Sequence, residues 1–280
     1  MKPVAEWRYL LLQNPLTLLA LLAFIGVVLC ALFAPWLTPY DPFASDTANS
    51  LQAPSAAHWF GTDQLGRDIF SRVLMGTRMD LGIAIAAVCL AAAIGTFLGA
   101  CAGFYGGFVD RSVGRGVDII MAFPLFVLAM AIVAALGNSV ANVVYASAII
   151  NMPFYVRVVR SEILVLKGAG FVEAARLCGN SNARILWCQL LPNVSAPLVV
   201  QMSLNMGWSM LNAASLSFVG LGIRPPSPEW GIMVAEGAHY IISGQWWVAL
   251  FPGLALTLTV LCFNLLGDGL RDIIDPRRRT

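Results

Sequence analysis

Long apolar stretches without a charge, separated by short charged segments, form the dominant pattern of this chain. A charged side chain at the centre of a bilayer costs about 3 kcal/mol on insertion scales, so a charge-free run marks a candidate membrane span. Because one span needs roughly 20 residues, the pattern predicts a multi-pass helical membrane protein. Five such runs lie between these charged residues: Arg8 and Asp41, Asp80 and Asp110, Asp118 and Arg157, Arg184 and Arg224, and Glu236 and Asp268.

Two of the five runs are too long for a single helix. The run from Ile119 to Val156 is interrupted in its middle by Gly137-Asn138-Ser139, which predicts a helical hairpin. In the run after Arg184, Pro192 and Pro197 confine the membrane-length part to residues 197–219. The other three runs hold one helix each, so the sequence predicts six spans.

The basic residues are distributed unevenly over the segments between these spans. An even number of spans puts both termini on one side, and basic residues collect on the cytoplasmic side. With both termini inside, the outer segments keep only four basic residues, Arg67, Arg72, Arg78 and Arg224. We therefore expect both termini in the cytoplasm. The other thirteen are Lys2, Arg8, Arg111, Arg115, Arg157, Arg160, Lys167, Arg176, Arg184, Arg271, Arg277, Arg278 and Arg279.

The N-terminal apolar run has a competing interpretation as a cleaved signal peptide. The run from Leu16 to Leu37 is longer than the apolar region of such a peptide and has no Ala-x-Ala cleavage site. We therefore expect it to be retained as the first span. At the other end of the chain, Arg277 to Arg279 are expected to anchor the C-terminus at the cytoplasmic membrane edge.

Composition adds exclusions to this picture. Charged residues make up 11% of the chain, against about 25% in soluble domains, and the mean hydropathy is +0.77. The net charge of +2 is too small to indicate a nucleic-acid partner. The six cysteines are scattered without a CxxC pair, which is typical of small core residues. With two histidines, no HExxH and no lysine after a GxxxxG, we expect neither a metal site nor an ATP site in this chain.

A polar, helix-prone segment, EAARLCGNSNARILWCQLLPN, lies between the fourth and fifth predicted spans. Glu173–Leu177 are helix formers, and Gly179 is a natural C-terminal stop. Ser181 or Asn182 can cap a second short helix, which we expect Pro192 to end. The segment is thus predicted to form two short helices with a bend at the inner surface. On these features alone, it could be a mere connector between two spans.

The order of residues in this segment resembles the EAA loop of ABC importer permeases. In that family the loop is a knob that fits a groove in the cytoplasmic ATPase and transmits its closure to the membrane helices. Leu190 stands where typical members carry isoleucine, a mild departure. The resemblance implies an ATPase-coupling loop made by Glu173, Ala174, Ala175, Arg176, Gly179, Leu191 and Pro192.

Three further motifs are similar to those of the dipeptide, oligopeptide and nickel permeases, and in particular to the second, C-type permease of a heterodimeric pair. They are HWFGTDQLGRDIFSR at His58 to Arg72, SFVGLGIRPPSPEWG at Ser217 to Gly231 and FNLLGDGLRDIIDP at Phe263 to Pro276. The resemblance implies an all-α membrane protein with the six-helix fold of a type I ABC importer permease, located in the bacterial inner membrane.

Two of these motifs fall in predicted outer segments. Asp63 with Arg67 and Asp68 with Arg72 are spaced i,i+4, so we expect a short helix with two surface ion pairs. The alternative is a contact with a substrate-binding protein or a partner permease. The second motif holds Pro225 and Pro226, followed by Pro228 and Trp230, and is expected to be a stiff loop brace with an interfacial tryptophan. A part in an outer gate is the alternative there.

Two spans carry distinctive faces. Ala91, Gly95, Gly99 and Gly103 recur every four residues in the second span, which predicts close helix packing. In the fifth span, Asn205, Ser209 and Asn212 share one helical face, with Trp208 beside them. Polar groups in hydrocarbon need partners or water, so this face is expected to point inward. It either makes interhelical hydrogen bonds or lines the translocation path.

The resemblance implies a machine larger than this chain. Its partners would be a second permease, two ABC ATPase subunits that hold ATP and magnesium, and a periplasmic or lipoprotein substrate-binding protein. The predicted layout has residues 1–77 as N-terminal tail, first span and outer segment, residues 78–268 as permease core with the coupling loop 161–193, and residues 269–280 as C-terminal tail.

The function implied is uptake of dipeptides or oligopeptides, driven by ATP hydrolysis on the separate subunits. Nickel, glutathione or another small solute is the alternative substrate within the same type of importer. An autonomous secondary transporter is the alternative of a different class. Such a transporter would more often carry an ionisable residue in mid-span or broken helices in repeated halves, and the sequence shows neither.

Overall fold

The computed structural model describes residues 15–274, and its regular elements are helices, which confirms the all-α class. Lys2, Arg8 and the proposed anchor at Arg277 to Arg279 lie outside the described residues. The helices are α1 Pro15–Leu37, α2 Ile69–Tyr105, α3 Gly107–Met121, α4 Leu125–Leu136, α5 Val140–Leu166, α6 Gly170–Leu177, α7 Asn182–Asn193, α8 Ser195–Phe218, α9 Trp230–Ala238 and α10 Trp247–Ile274.

Among the described residues, three helices are long and apolar enough to cross a membrane, namely α1, α2 and α10. Two bent pairs qualify if each is taken as one span: α3 with α4 at 89°, and α7 with α8 at 60°. The structure therefore has three to five candidate spans, and the predicted six stays a prediction. The difference lies at α5, which has 27 residues but includes polar and charged side chains.

The predicted break between the third and fourth spans is confirmed. Gly137, with a φ of +92°, follows the last residue of α4. The Ser139 side chain accepts a hydrogen bond from the amide of Asn142 and caps the start of α5. α4 and α5 pack against each other around Val133, Ala146 and other buried residues, so they form the expected hairpin.

The small-residue face of α2 packs against α5, as predicted. A Cβ atom on Gly95 would lie 2.6 Å from the Cβ of Tyr155, and one on Gly99 would lie 2.6 Å from the carbonyl oxygen of Val156. One on Gly103 would lie 2.9 Å from another α5 carbonyl. Only glycine allows the two backbones to approach this closely. α2 extends back to Ile69, so the predicted boundary at residue 77 falls inside a continuous helix.

The connections collect at two opposite ends of the helices. At one end, residues 38–68 meet the segments before and after α9. The Trp247 indole N–H donates to the Thr62 carbonyl, and the Asn138 amide donates to the Gly220 carbonyl. At the other end lie α3, α6 and α7, and the Lys167 ammonium donates to the Gly103 carbonyl there.

Candidate functional site

The predicted coupling loop consists of α6 and the start of α7, joined by a tight turn. Gly179 adopts a φ of +78°, and its amide donates to the carbonyl of Arg176 over 2.9 Å. The next amide, of Asn180, donates to the carbonyl of Ala175. The Ser181 hydroxyl then caps α7 by accepting from the amide of Arg184. The expected pair of short helices with a bend is confirmed, and Ser181, not Asn182, is the cap.

The expectation that Pro192 ends the second helix is wrong. α7 continues through Pro192 to Asn193, and the bend of 60° follows before α8 begins at Ser195. The residues before the proline, Ile185–Leu190, form a π-type helix with hydrogen bonds to the fifth preceding residue. This wider turn accommodates a proline ring that would clash in a regular α-helix.

One face of the loop is anchored and the other is free. Ala175 is buried together with Val172, Ile185 and other apolar residues in a cluster that reaches Ala100 of α2 and Val159 of α5. Leu177, in contrast, is 90% exposed. Within the motif residues, Ala175 is therefore a packing residue. The free face presents Glu173, Ala174, Arg176 and Leu177.

The acidic and basic residues of the first outer motif are buried, which corrects the expected surface helix. Asp63 and Arg67 form an ion pair of 2.6 Å, and both are almost fully buried. Arg72 pairs with Asp63, with its Nε 3.5 Å from the Asp63 Oδ2 atom, and not with Asp68. Asp68 instead bonds to the ring of His58 over 2.9 Å and caps α2. The expected second pair does not form because Asp68 has the extended backbone of an N-cap, and its carboxylate accepts from the Ser71 amide and bonds to His58 instead.

The tryptophan of the proline loop is buried, which corrects the expected interfacial position. Trp230 is 1% exposed, and its indole N–H donates to the Val73 carbonyl over 3.0 Å. The Arg72 guanidinium contacts the Pro226 carbonyl at 3.4 Å. Pro225 precedes it in the same exposed turn. The tryptophan is drawn inward because α2 offers its indole both an apolar surface and an acceptor.

Two acidic residues, Asp80 and Glu229, are buried close together, which the sequence did not predict. The Asp80 carboxylate accepts from the amide of Trp230 over 3.0 Å, and Glu229 accepts from the amide of Ile232 over 2.8 Å. The two carboxyl groups also lie within hydrogen-bond reach of each other. Burial raises the pKa of Glu229. In the sequence, Asp80 only marks the start of a charge-free run. No short-range sequence pattern indicates that Glu229 lies beside it in the fold.

The polar face of α8 is divided between a buried and an open part. Asn205 and Ser209 are buried, and the Asn151 amide of α5 donates to the Ser209 hydroxyl over 3.3 Å. Trp208 is 61% exposed, and Asn212 is half-buried with its amide donating to the Trp208 carbonyl. Interhelical bonding therefore accounts for Ser209. Asn151 was missed, although the same rule about polar groups in hydrocarbon would have found it.

The chain matches two family models. Residues 95–280 match the binding-protein-dependent transport system inner membrane component, and residues 3–54 match the N-terminal TM domain of oligopeptide transport permease C. The chain belongs to the binding-protein-dependent ABC importer permeases. The first match contains the whole of the α6–α7 loop and α8. As a permease of this family, the chain is a multi-pass inner membrane component and not the ATPase of its transporter.

Curated relatives match this permease over nearly its whole length. It is 44% identical to the probable D,D-dipeptide transport system permease protein DdpC of Escherichia coli, over 98% of this chain and 91% of the relative. It is 44% identical to the dipeptide transport system permease protein DppC of Alkalihalophilus pseudofirmus, over 99% and 92%. It is 46% identical to the glutathione transport system permease protein GsiD of Pectobacterium atrosepticum, over 98% and 91%. The family implies a complex with ATPases and a binding protein.

Proposed function

We propose that this permease is the C-type subunit of a heterodimeric importer for dipeptides or short oligopeptides. The observation that carries the proposal is the α6–α7 loop, which is anchored on the membrane helices and leaves a charged and apolar knob free at one end. An energy-coupling contact needs such a short, rigid element. The partners are a second permease, two ATPases that hold ATP and magnesium, and a periplasmic or lipoprotein binding protein.

The proposed coupling runs from the ATPases through this loop into the membrane. Closure of the ATPases on ATP moves the free face formed by Glu173, Ala174, Arg176 and Leu177. The buried face, around Ala175, carries the movement to α2 and α5. α7, with Leu191 and Pro192 at its end, carries it through the bend to α8. The two permeases then change their access together, without a proton or sodium site in this chain.

The proposed topology has six spans and cytoplasmic termini. It is supported by the course of α4 and α5. α4 runs from the end where Asp118 bonds to Arg157 to the end where Asn138 bonds to Gly220, and α5 runs back to Arg160. At 1.5 Å per residue, the 27 residues of α5 extend about 40 Å, which exceeds the roughly 30 Å of a bilayer core. α5 is therefore proposed as a span of its own, the fourth in chain order, which brings the total to six.

The topology is tested with an impermeant thiol reagent on single-cysteine variants. Cys178 and Cys188 are exposed on the side of the coupling loop, whereas Cys262 is buried. We expect Cys178 and Cys188 to be labelled only from the cytoplasmic side. A Ser55→Cys variant, in the proposed outer segment, is expected to be labelled only from outside. Labelling of Cys178 from outside would refute the topology.

The proposed translocation path runs along the face of α8 that carries Asn205, Trp208, Ser209 and Asn212. Ser209 bonds to Asn151 of α5 and Asn205 is buried beside it, whereas Trp208 and Asn212 are the open part of this face. We propose that the open part faces the second permease. It carries no charge, which suits a path for solutes of differing charge.

The layout proposed for the chain has residues 1–77 as N-terminal tail, first span and outer segment. Residues 78–268 form the core with the coupling loop 161–193, and residues 269–280 form the tail. The buried outer cluster of Asp63, Arg67, Asp68 and Arg72 is proposed to hold the outer segment rigid, with Pro225, Pro226 and Trp230 as its brace. The binding protein would dock on this rigid end.

The proposed substrate class follows the relatives, whose names refer to D,D-dipeptides, dipeptides and glutathione. A thermal-shift screen of the cognate binding protein against dipeptides, oligopeptides, glutathione, nickel ions and nickel chelates tests it. Stabilisation by peptides is expected. Stabilisation by nickel alone would assign the importer to that metal.

The same experiments separate this function from an autonomous transporter. The chain purified in mild detergent is expected to bring ATPases and a second permease with it. In liposomes the isolated chain should show no uptake of peptides without them and without ATP. Uptake by the isolated chain would refute the permease proposal.

A further inference from the structure

A charged cleft of about 400 Å³ lies between α3 and α5, at the same end of the molecule as the coupling loop. Its lining includes the buried side chains of Val117 and Val156. Its six charged lining residues are Asp110, Arg111, Arg115, Asp118, Arg157 and Arg160. The proposed function assigns no role to them.

The charges of the cleft do not balance. The Arg160 guanidinium binds both carboxylate oxygens of Asp110, and the Arg157 guanidinium binds Asp118 over 3.0 Å. Arg111 donates only to a main-chain carbonyl one turn earlier. Within residues 15–274, no carboxylate lies within ion-pair distance of Arg111 or Arg115. The cleft thus keeps two guanidinium groups free for an anion.

The helix that carries these two arginines also exposes apolar side chains. Phe108 is 78% exposed and Ile119 is 65% exposed. Phe108, Arg115 and Ile119 are spaced by seven and four residues, so they share one side of α3. α3 makes an angle of 89° with the apolar helix α4, so it lies along the membrane plane if α4 crosses the membrane. A helix with basic and exposed apolar residues in this orientation is typical of the bilayer interface.

We propose that the cleft binds the headgroup of an anionic phospholipid, with the phosphate on Arg111 and Arg115. Guanidinium groups bind phosphate oxygens through paired hydrogen bonds, and basic pockets beside membrane helices take anionic headgroups. The neighbouring Phe108 and Ile119 contact the acyl chains of the same lipid. A ligand with both an anionic head and an apolar tail matches this combination. The assignment to the cytoplasmic leaflet rests on the proposed topology.

Native mass spectrometry of the full chain in detergent tests the site. The chain is titrated with phosphatidylglycerol, with phosphatidylcholine of the same acyl chains, and with inorganic phosphate. Phosphatidylglycerol is expected to bind most tightly. Each basic residue near an anionic surface contributes enough that the double variant Arg111→Gln, Arg115→Gln should weaken phosphatidylglycerol binding by about 30-fold.

Two matched variants separate the site from general charge and folding. The variant Arg111→Lys, Arg115→Lys keeps the charges and should retain most of the affinity. The variant Arg78→Gln, Arg224→Gln removes the same charge from exposed positions near the proline loop and should bind phosphatidylglycerol like the unaltered chain. All of these substitutions are at exposed side chains, so a common elution volume on size exclusion is expected.

Three results would overturn the proposal. These are equal binding of the two lipids, full retention of phosphatidylglycerol by the double glutamine variant, and binding of inorganic phosphate as tight as that of the lipid. The last would assign the cleft to a soluble anion. None of these measurements uses transport or ATPases, so a wrong substrate or topology leaves them unchanged, and their failure leaves the importer proposal standing.

Discussion

Gly99 of α2 and Val156 of α5 lie in backbone contact, because a Cβ atom on the glycine would be only 2.6 Å from the valine carbonyl oxygen. This contact stands at the centre of the glycine face that joins the two helices. The cluster that anchors the α6–α7 loop includes Ala100, next to Gly99, and Val159, one turn after Val156. The fit between α2 and α5 therefore positions both the membrane core and the loop.

The first prediction concerns this contact. Gly99→Ala should push α2 and α5 apart and lower the stability in detergent by about 1–3 kcal/mol, as overpacked substitutions do. Gly82→Ala lies on the same helix, with no atom within 4 Å of the added Cβ, and should be neutral or slightly stabilising. Thermal unfolding of the two variants side by side measures the difference. Equal unfolding midpoints would show that α2 and α5 can move apart without loss of stability.

The second prediction concerns the buried ion cluster formed by Asp63, Arg67 and Arg72. Asp63→Asn leaves the guanidinium groups of Arg67 and Arg72 buried without their shared carboxylate, which should cost about 3–5 kcal/mol. Asp118→Asn breaks the pair with Arg157, in which both side chains are more than half exposed, and should cost about 0–1 kcal/mol. Thermal unfolding checks both, and a larger loss for Asp118→Asn would contradict the burial argument.

The third prediction concerns pH and Glu229. Burial raises its pKa above the ordinary value of 4.5, so the folded chain keeps a proton that the unfolded chain has already released. The stability from this group is fully present below pH 4.5 and is lost as the pH rises through the folded pKa. Glu229→Gln is always neutral and should gain stability relative to the unaltered chain as the pH rises from 4.5.

Unfolding midpoints from pH 4.5 to pH 8 measure this difference. Glu173→Gln, at an exposed position in the coupling loop, is the control and should follow the unaltered chain throughout. If the unfolding midpoint of Glu229→Gln changes with pH in the same way as that of the unaltered chain, ionisation of Glu229 does not lower the stability of the protein.

The fourth prediction concerns the free face of the coupling loop. Leu177 is 90% exposed, and we expect it to be buried against the ATPase. Leu177→Ala should therefore weaken binding of the ATPase at least tenfold, about 1.4 kcal/mol or more, with no loss of thermal stability. Ile242→Ala removes an even more exposed apolar side chain at the opposite end and should leave ATPase binding unchanged. Co-purification at graded ATPase concentrations measures both.

The sequence by itself determined the features that depend on short-range spacing. The apolar runs predicted the long helices, and Gly137 and Ser139 predicted the break in the hairpin. Gly179 and Ser181 predicted the two short helices of the α6–α7 loop. Glycines repeated every four residues indicated a close helix contact. Each of these follows from propensity, capping or periodicity over a few residues, so no knowledge of distant neighbours is needed.

The tertiary structure alone decided which polar groups are buried and what they meet. Asp80 accepts a hydrogen bond from the amide of Trp230, which is 150 residues away, and Arg67 pairs with Glu236 in another element. Ser209 meets Asn151 on a different helix. A charged group or an indole N–H is buried at low cost only where a hydrogen-bond or ion-pair partner lies beside it. The position of that partner is set by the packing of whole helices.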